Sequence, residues 1–145
     1  MRNSAALTVL LFWLSAFSAQ PAAAEVRILS SPGGPVLPYV QVFEAVRDSG
    51  ERVAIDGPCL SACTLVLSIV PPERICITRR AVLGFHAARS IDDRGRTRAE
   101  PGASRVVLET YPPAVQQWIR ARGGLTSRVL LLRGRALAEM YPRCR

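Results

Sequence analysis

Apolar positions along this chain follow two periods. Residues 26–30 form a short β-branched run that stops at Ser31-Pro32-Gly33-Gly34-Pro35, a stretch with the chemistry of a turn or loop. Over residues 37–48 the apolar positions Val36, Tyr39, Val40, Phe43 and Val46 recur at helical spacing, and Ser49-Gly50 supplies the stop, which predicts an amphipathic helix. Val53-Ala54-Ile55 reads as the next strand, and Gly57-Pro58 breaks it. Residues 61–69 are almost wholly apolar and open with small side chains, the pattern of a buried helix. Ile75-Cys76-Ile77 and residues 81–86 are two further short strands. The order β-α-β-α-β-β predicts an α/β fold with a mostly parallel sheet and right-handed crossovers.

Beyond His86 the pattern changes. Residues 88–104 are rich in Arg, Asp, Gly and Pro with no sustained apolar period, so they read as a solvated loop. Residues 106–111 are a short apolar piece, and Pro112-Pro113 opens a helix through Trp118 and Ile119 that Gly123-Gly124 closes. A further helix is expected over residues 125–132, and residues 136–140 lead into a tail that Cys144 would tie down, giving a short helical C-terminal part. The chain contains no internal repeat.

The N-terminus adds a compartment. Arg2 precedes an uncharged apolar run, residues 5–17, followed by Pro21-Ala22-Ala23-Ala24. This is the layout of a secretory signal peptide occupying residues 1–24. The run is shorter than the roughly 20 apolar residues of a spanning helix, which argues against an uncleaved anchor. Residues 25–145 are then one domain, periplasmic or secreted, with no stable membrane span after cleavage. Charge changes the picture little. The net charge is +8, from 19 basic residues that are all Arg against 11 acidic ones. The arginines are scattered, and no basic run interleaved with aromatics suggests nucleic acid.

Cys59, Cys63, Cys76 and Cys144 are an even number in a chain read as exported, so two disulfides are expected. Three connectivities are open, and a local Cys59–Cys63 link with Cys76–Cys144 has only a slight preference. A zinc site fits less well, because Cys-x3-Cys has no second close pair and the lone His86 lies far along the chain.

Three features converge on one kind of chemistry: the Ser-Pro-Gly-Gly loop after the first strand, Ser61 at a strand-to-helix junction, and His86 near the end of a later strand. N–H groups in the first turn of a helix have no partner within it, and with an N–H from a glycine loop they can hold the oxyanion of an acyl-transfer intermediate. A serine nucleophile also needs a base within hydrogen-bond reach, and His86 is the chain's only histidine.

Ser30-Ser31-Pro32-Gly33-Gly34, Cys59-Leu60-Ser61-Ala62-Cys63 and Leu83-Gly84-Phe85-His86 together resemble the Clp-type serine proteases and the wider crotonase-like superfamily. The resemblance runs from about residue 28 to residue 88 and includes the 25-residue interval from Ser61 to His86. It implies a superhelical β-α-β core, with Ser61 as nucleophile, His86 as general base and the N–H groups of Gly34 and Ala62 as the oxyanion hole. It also implies a peptide or protein substrate, and neither a metal nor an organic cofactor is needed. The chain departs from the family at the third triad member. The corresponding stretch, residues 133–135, offers Gly and Arg, with Glu139 the nearest acid, and no motif assigns the role to Asp92, Asp93 or Glu109. Residues 106–145 resemble nothing in that family, so stacked rings are not implied and oligomer formation is left open. The expectation is an exported serine hydrolase, most simply a peptidase. The alternative is a catalytically inactive envelope protein that keeps the fold as a binding module.

The signal pattern makes a direct prediction: N-terminal sequencing of protein recovered from an exporting cell should begin at Glu25. A mature chain beginning at Met1 would refute it.

Overall fold

The computed structural model describes residues 24–145, so the signal peptide assigned to residues 1–24 lies outside the described residues except for Ala24. The fold is mixed α/β, with three small sheets and five α-helices among the described residues. Strand β1 (Glu25–Ile28), helix α1 (Val36–Ser49) and strand β2 (Arg52–Ile55) form the first unit, and β1 and β2 pair in parallel. Helix α1 buries Phe43 and Val46 and ends where Gly50 turns left-handed and its N–H donates to the Arg47 carbonyl. Strand β4 (Ile75–Ile77) pairs in parallel on the other side of β2. Val53, Ala54 and Ile55 are fully buried because helices and loops cover both faces of this central strand.

Strand β3 (Pro58–Leu60) leaves the first sheet for a second one, in which it pairs in parallel with β5 (Val82–Phe85). On its other side β5 pairs antiparallel with β8 (Leu130–Arg133). Two contacts join the sheets. Ser31, just past β1, donates its N–H to the Pro58 carbonyl (2.7 Å) and accepts from the Leu60 N–H (2.9 Å). Gly57, at the bend from β2 to β3, passes so close to the Leu29 carbonyl that a Cβ there would collide with it. The glycine loop after β1 is thereby carried to the end of β3.

Several sequence expectations are corrected. The sheets are not mostly parallel, since β5–β8 and the hairpin of β6 (Arg89–Ile91) and β7 (Thr97–Ala99) are antiparallel. The break expected at Gly57-Pro58 is present, since β2 ends at Ile55, but the chain resumes at once as β3. Pro58 is the first residue of β3, a position where a missing N–H is tolerated. Residues 61–69 are a 3-10 helix, Ser61–Leu65, followed by the single turn α2 (Val66–Ile69). The expected loop at residues 88–104 contains the β6–β7 hairpin, turned by Gly95 at φ 73° while the Asp92 carboxylate accepts from the N–H groups of Arg94 and Arg96. Residues 106–111 belong to helix α3 (Pro101–Thr110) and its end. The helix expected over residues 125–132 is instead a loop leading into β8, where Leu130 and Leu132 are buried and Leu131 and Arg133 exposed. That alternation of period two is what antiparallel pairing with β5 selects. Helices α4 (Pro113–Arg120) and α5 (Gly134–Ala138) complete the order.

All four cysteines are bonded, Cys59 to Cys63 and Cys76 to Cys144. The second bridge spans 68 residues of chain and fixes the tail, which also lies along β4 through Ile77 N–H to Pro142 O (2.9 Å) and Cys144 N–H to Ile77 O (3.0 Å). Removing a native disulfide of this kind costs about 2–5 kcal/mol.

The buried carboxylate Asp56, at the end of β2, accepts from Arg80 Nη2 (2.6 Å), Thr78 Oγ1 (2.6 Å) and Arg27 Nη1 (3.1 Å). Chiefly the Arg80 guanidinium, then the Thr78 hydroxyl, hold its carboxyl well below the usual carboxylate range. Burial pushes the phenols of Tyr111 and Tyr141 up to about 12. Asp56 binds fewer protons folded than unfolded, so its contribution is full above about pH 4 and drains as pH falls further. The tyrosines hold their protons longer when folded, so stability falls again as pH climbs from about 10 towards 12. Urea midpoints measured against pH should show both declines. Asp56→Asn should flatten the acid limb alone, and an acid limb unchanged in that variant would contradict the assignment.

Candidate functional site

The chain enters the site along β3 and turns at Ser61, the one non-glycine among the described residues with a positive φ, 55°. A left-handed non-glycine residue costs about 1–3 kcal/mol and persists only where the surroundings over-determine it. Here they do. Cys59 and Cys63, both buried, close a ring around the turn. The Thr64 hydroxyl donates to the Ser61 carbonyl (2.6 Å) and also meets the Tyr111 hydroxyl (2.6 Å). The junction faces a cavity of about 550 Å³ that Ser61 and Ala62 line together with Gly34 and His86.

Gly33 supports the turn from the other side. Its φ is 82°, and a Cβ there would lie 2.5 Å from Ser61 Cβ, 2.6 Å from the Leu60 carbonyl oxygen and 3.1 Å from Ala62 N. Only glycine meets both the backbone angle and the space, and the close approach lays the glycine loop against the Ser61–Ala62 peptide. The Gly34 N–H donates to no backbone acceptor among the described residues. The Ala62 N–H lies in the first turn of the 3-10 helix, where no intrahelical acceptor exists.

His86 follows the last residue of β5, and the β3–β5 register that places Leu60 opposite Gly84 brings the ends of both strands to the same cavity. The half-buried ring makes one hydrogen bond, from Nδ1 to the Ala87 carbonyl oxygen (2.7 Å). A carbonyl can only accept, so Nδ1 carries a proton, and Nε2 makes no hydrogen bond among the described residues.

Ser61 and His86 thus share a cavity, but no hydrogen bond joins their side chains. Among the described residues no carboxylate bonds to His86. Asp92 is held by Arg96, and Glu100 accepts from Ser90. Neither Asp93, Glu109 nor Glu139 contributes a side-chain bond to the ring. The sequence missed three members of the site. Gly33 was noted only as part of a loop. Thr64 lies three residues after Ser61, one turn along the helix, which was a usable signal. Tyr111 comes from the far side of the Arg-rich segment, and nothing local marked it. The remaining wall is mostly apolar, with Leu65 and Val107, and Arg89 is the charged residue at its rim, bonded to the Ser127 carbonyl (2.9 Å).

The glycine geometry separates two neighbouring substitutions. Gly33→Ala should destabilise the protein by about 1–3 kcal/mol through strain and collision. Gly34→Ala should cost less, because its Cβ would meet only Tyr39 Cε2 at an ordinary 3.8 Å. Chemical denaturation of the two variants checks this, and equal losses would refute it.

No protein-family model and no curated protein matches this sequence.

Proposed function

We propose that the chain is an exported serine hydrolase, a peptidase, with a Clp/crotonase-like core and a Ser61–His86 dyad. The observation that carries this reading is the left-handed backbone of Ser61 at a strand-to-helix junction, on the same cavity as a histidine whose Nε2 makes no hydrogen bond among the described residues. Backbone strain concentrates at functional sites, and a serine that merely capped a helix would not need it. Ser61 is in fact the first residue of the 3-10 helix, and the capping position belongs to Leu60.

In the reaction, His86 Nε2 takes the Ser61 hydroxyl proton as Oγ attacks the substrate carbonyl carbon. The carbonyl oxygen becomes an anion held by the N–H groups of Gly34 and Ala62. The imidazolium then gives its proton to the leaving amine, and water hydrolyses the acyl-enzyme by the same steps in reverse roles. The Ala87 carbonyl performs one task of a triad acid, fixing the tautomer and ring orientation. Catalytic hydrogen bonds commonly tighten only when substrate is bound, so a dyad is compatible with two side chains that share a cavity without a bond between them. Export is supported by the signal pattern of residues 1–24 and by the two disulfides. No helix among the described residues is long and apolar enough to cross a membrane.

A fluorophosphonate probe tests the reading. Folded wild-type protein should be labelled at Ser61, identified by peptide mapping. Ser61→Ala and His86→Ala should each reduce turnover of a peptide substrate by about 10³-fold or more, and the double variant should lose little further, since groups acting as a unit are non-additive. Folded protein that resists the probe would overturn the hydrolase and leave the binding-module alternative.

A further inference from the structure

We propose that Tyr111 is a positioning residue for Ser61, acting through the Thr64 hydroxyl. The inference rests on the serine-hydrolase reading above and deepens it. Proton counting sets the direction of the chain. The Thr64 hydroxyl has one hydrogen, and it is committed to the Ser61 carbonyl oxygen at 2.6 Å. The 2.6 Å contact between Thr64 Oγ1 and the Tyr111 hydroxyl therefore has Tyr111 as donor. The chain runs Tyr111 O–H to Thr64 O–H to Ser61 C=O, and it ends on the peptide group whose left-handed rotation aims the nucleophile.

Both hydroxyl-bearing residues are nearly inaccessible, Thr64 at 0% and Tyr111 at 5%, so water does not compete for these bonds. Tyr111 is itself held firmly. It joins α3 to α4, its carbonyl accepts from Gln116 Nε2 (2.8 Å), and Pro112 follows it. Its ring meets Phe85 edge-on, with centroids 5.2 Å apart, and Phe85 precedes His86. One side chain thus reaches neighbours of both dyad residues: its hydroxyl bonds to Thr64, which holds the Ser61 carbonyl, and its ring packs on Phe85, which precedes His86. The phenol stays a donor throughout the neutral and mildly alkaline range, because burial raises its pKa to about 12.

Tyr111→Phe removes the hydroxyl and keeps the ring. The experiment measures the fluorophosphonate inactivation rate constant and the probe's binding constant separately, for wild type, Tyr111→Phe, Thr64→Val, Thr64→Ser and Tyr111→Phe/Thr64→Val, with thermal unfolding of each. The expected result is an inactivation rate lowered about 10-fold to 100-fold in Tyr111→Phe and Thr64→Val, the loss typical of a misplaced reacting group. The binding constant should change by no more than about twofold, because the apolar wall is intact. Thr64→Ser should restore the rate lost in Thr64→Val, and the double variant should be no slower than Thr64→Val alone. Labelling of Tyr111→Phe at the wild-type rate would overturn the proposal. So would equal rates for Thr64→Ser and Thr64→Val, a comparison that decides the matter even if Tyr111→Phe fails to fold. Wild-type protein that is not labelled at all would instead sink the hydrolase reading itself.

Discussion

The backbone at Ser61 is the constraint around which the surrounding structure is arranged. A serine at φ 55° is unfavourable by about 1–3 kcal/mol. A turn held by local contacts alone would relax towards an ordinary extended-to-helical junction. Three contacts of different kinds oppose that relaxation. The Cys59–Cys63 bridge limits how far the turn can open, Gly33 lies against Ser61 and Leu60 so closely that a Cβ on it would collide, and the Thr64 hydroxyl holds the Ser61 carbonyl. They come from three places in the chain, before, within and after the turn, so the geometry depends on tertiary structure being complete.

That dependence explains the arrangement of the two sheets. A glycine loop can support Ser61 only if the chain beyond β1 runs beside β3, although β1 itself belongs with β2. Ser31 makes the switch by bonding to Pro58 and Leu60, and Gly57 permits the crossing because nothing larger fits against the Leu29 carbonyl. The Asp56 cluster lies next to the same bend, with carboxylate bonds from Arg27 on β1 and from Thr78 and Arg80 after β4. A buried carboxylate with this many donors is strongly directional and would be costly to leave half-satisfied. It ties together the strand ends whose relative placement sets the glycine loop.

How legible each part was in the sequence follows from what decided it. Helix α1, strand β2 and strand β4 were read nearly as they stand, because a buried helical stripe and β-branched runs are local signals. Ser61 and His86 stand out by type, order and spacing, which survive in a linear reading, and both line one cavity. What failed was decided by partners distant in sequence. Strand β8 is a leucine run of either period until it pairs with β5. The β6–β7 hairpin has all six strand residues exposed, so it has no apolar alternation to read. Tyr111 looked like the end of an apolar fragment, since its bond to Thr64 spans 47 residues.

The same geometry limits what the proposed dyad can do. A neutral carbonyl fixes the imidazole ring, but it stabilises the positive charge that forms on proton transfer less than a carboxylate would. The chain has carboxylates to use, and it places the best buried one, Asp56, against two arginines and a threonine rather than near His86. Arg89 at the rim adds a positive charge to the same cavity. Under the proposed mechanism the imidazolium must then be balanced mainly by the oxyanion itself, across a cavity whose mostly apolar lining lowers the local dielectric and strengthens that attraction. Such a balance falls off steeply with distance and angle, so an enzyme lacking the acid depends more on rigid placement of its serine than one that has it. Under that mechanism the ring closed by Cys59–Cys63, the packing of Gly33 and the hydroxyl chain from Tyr111 would meet that need.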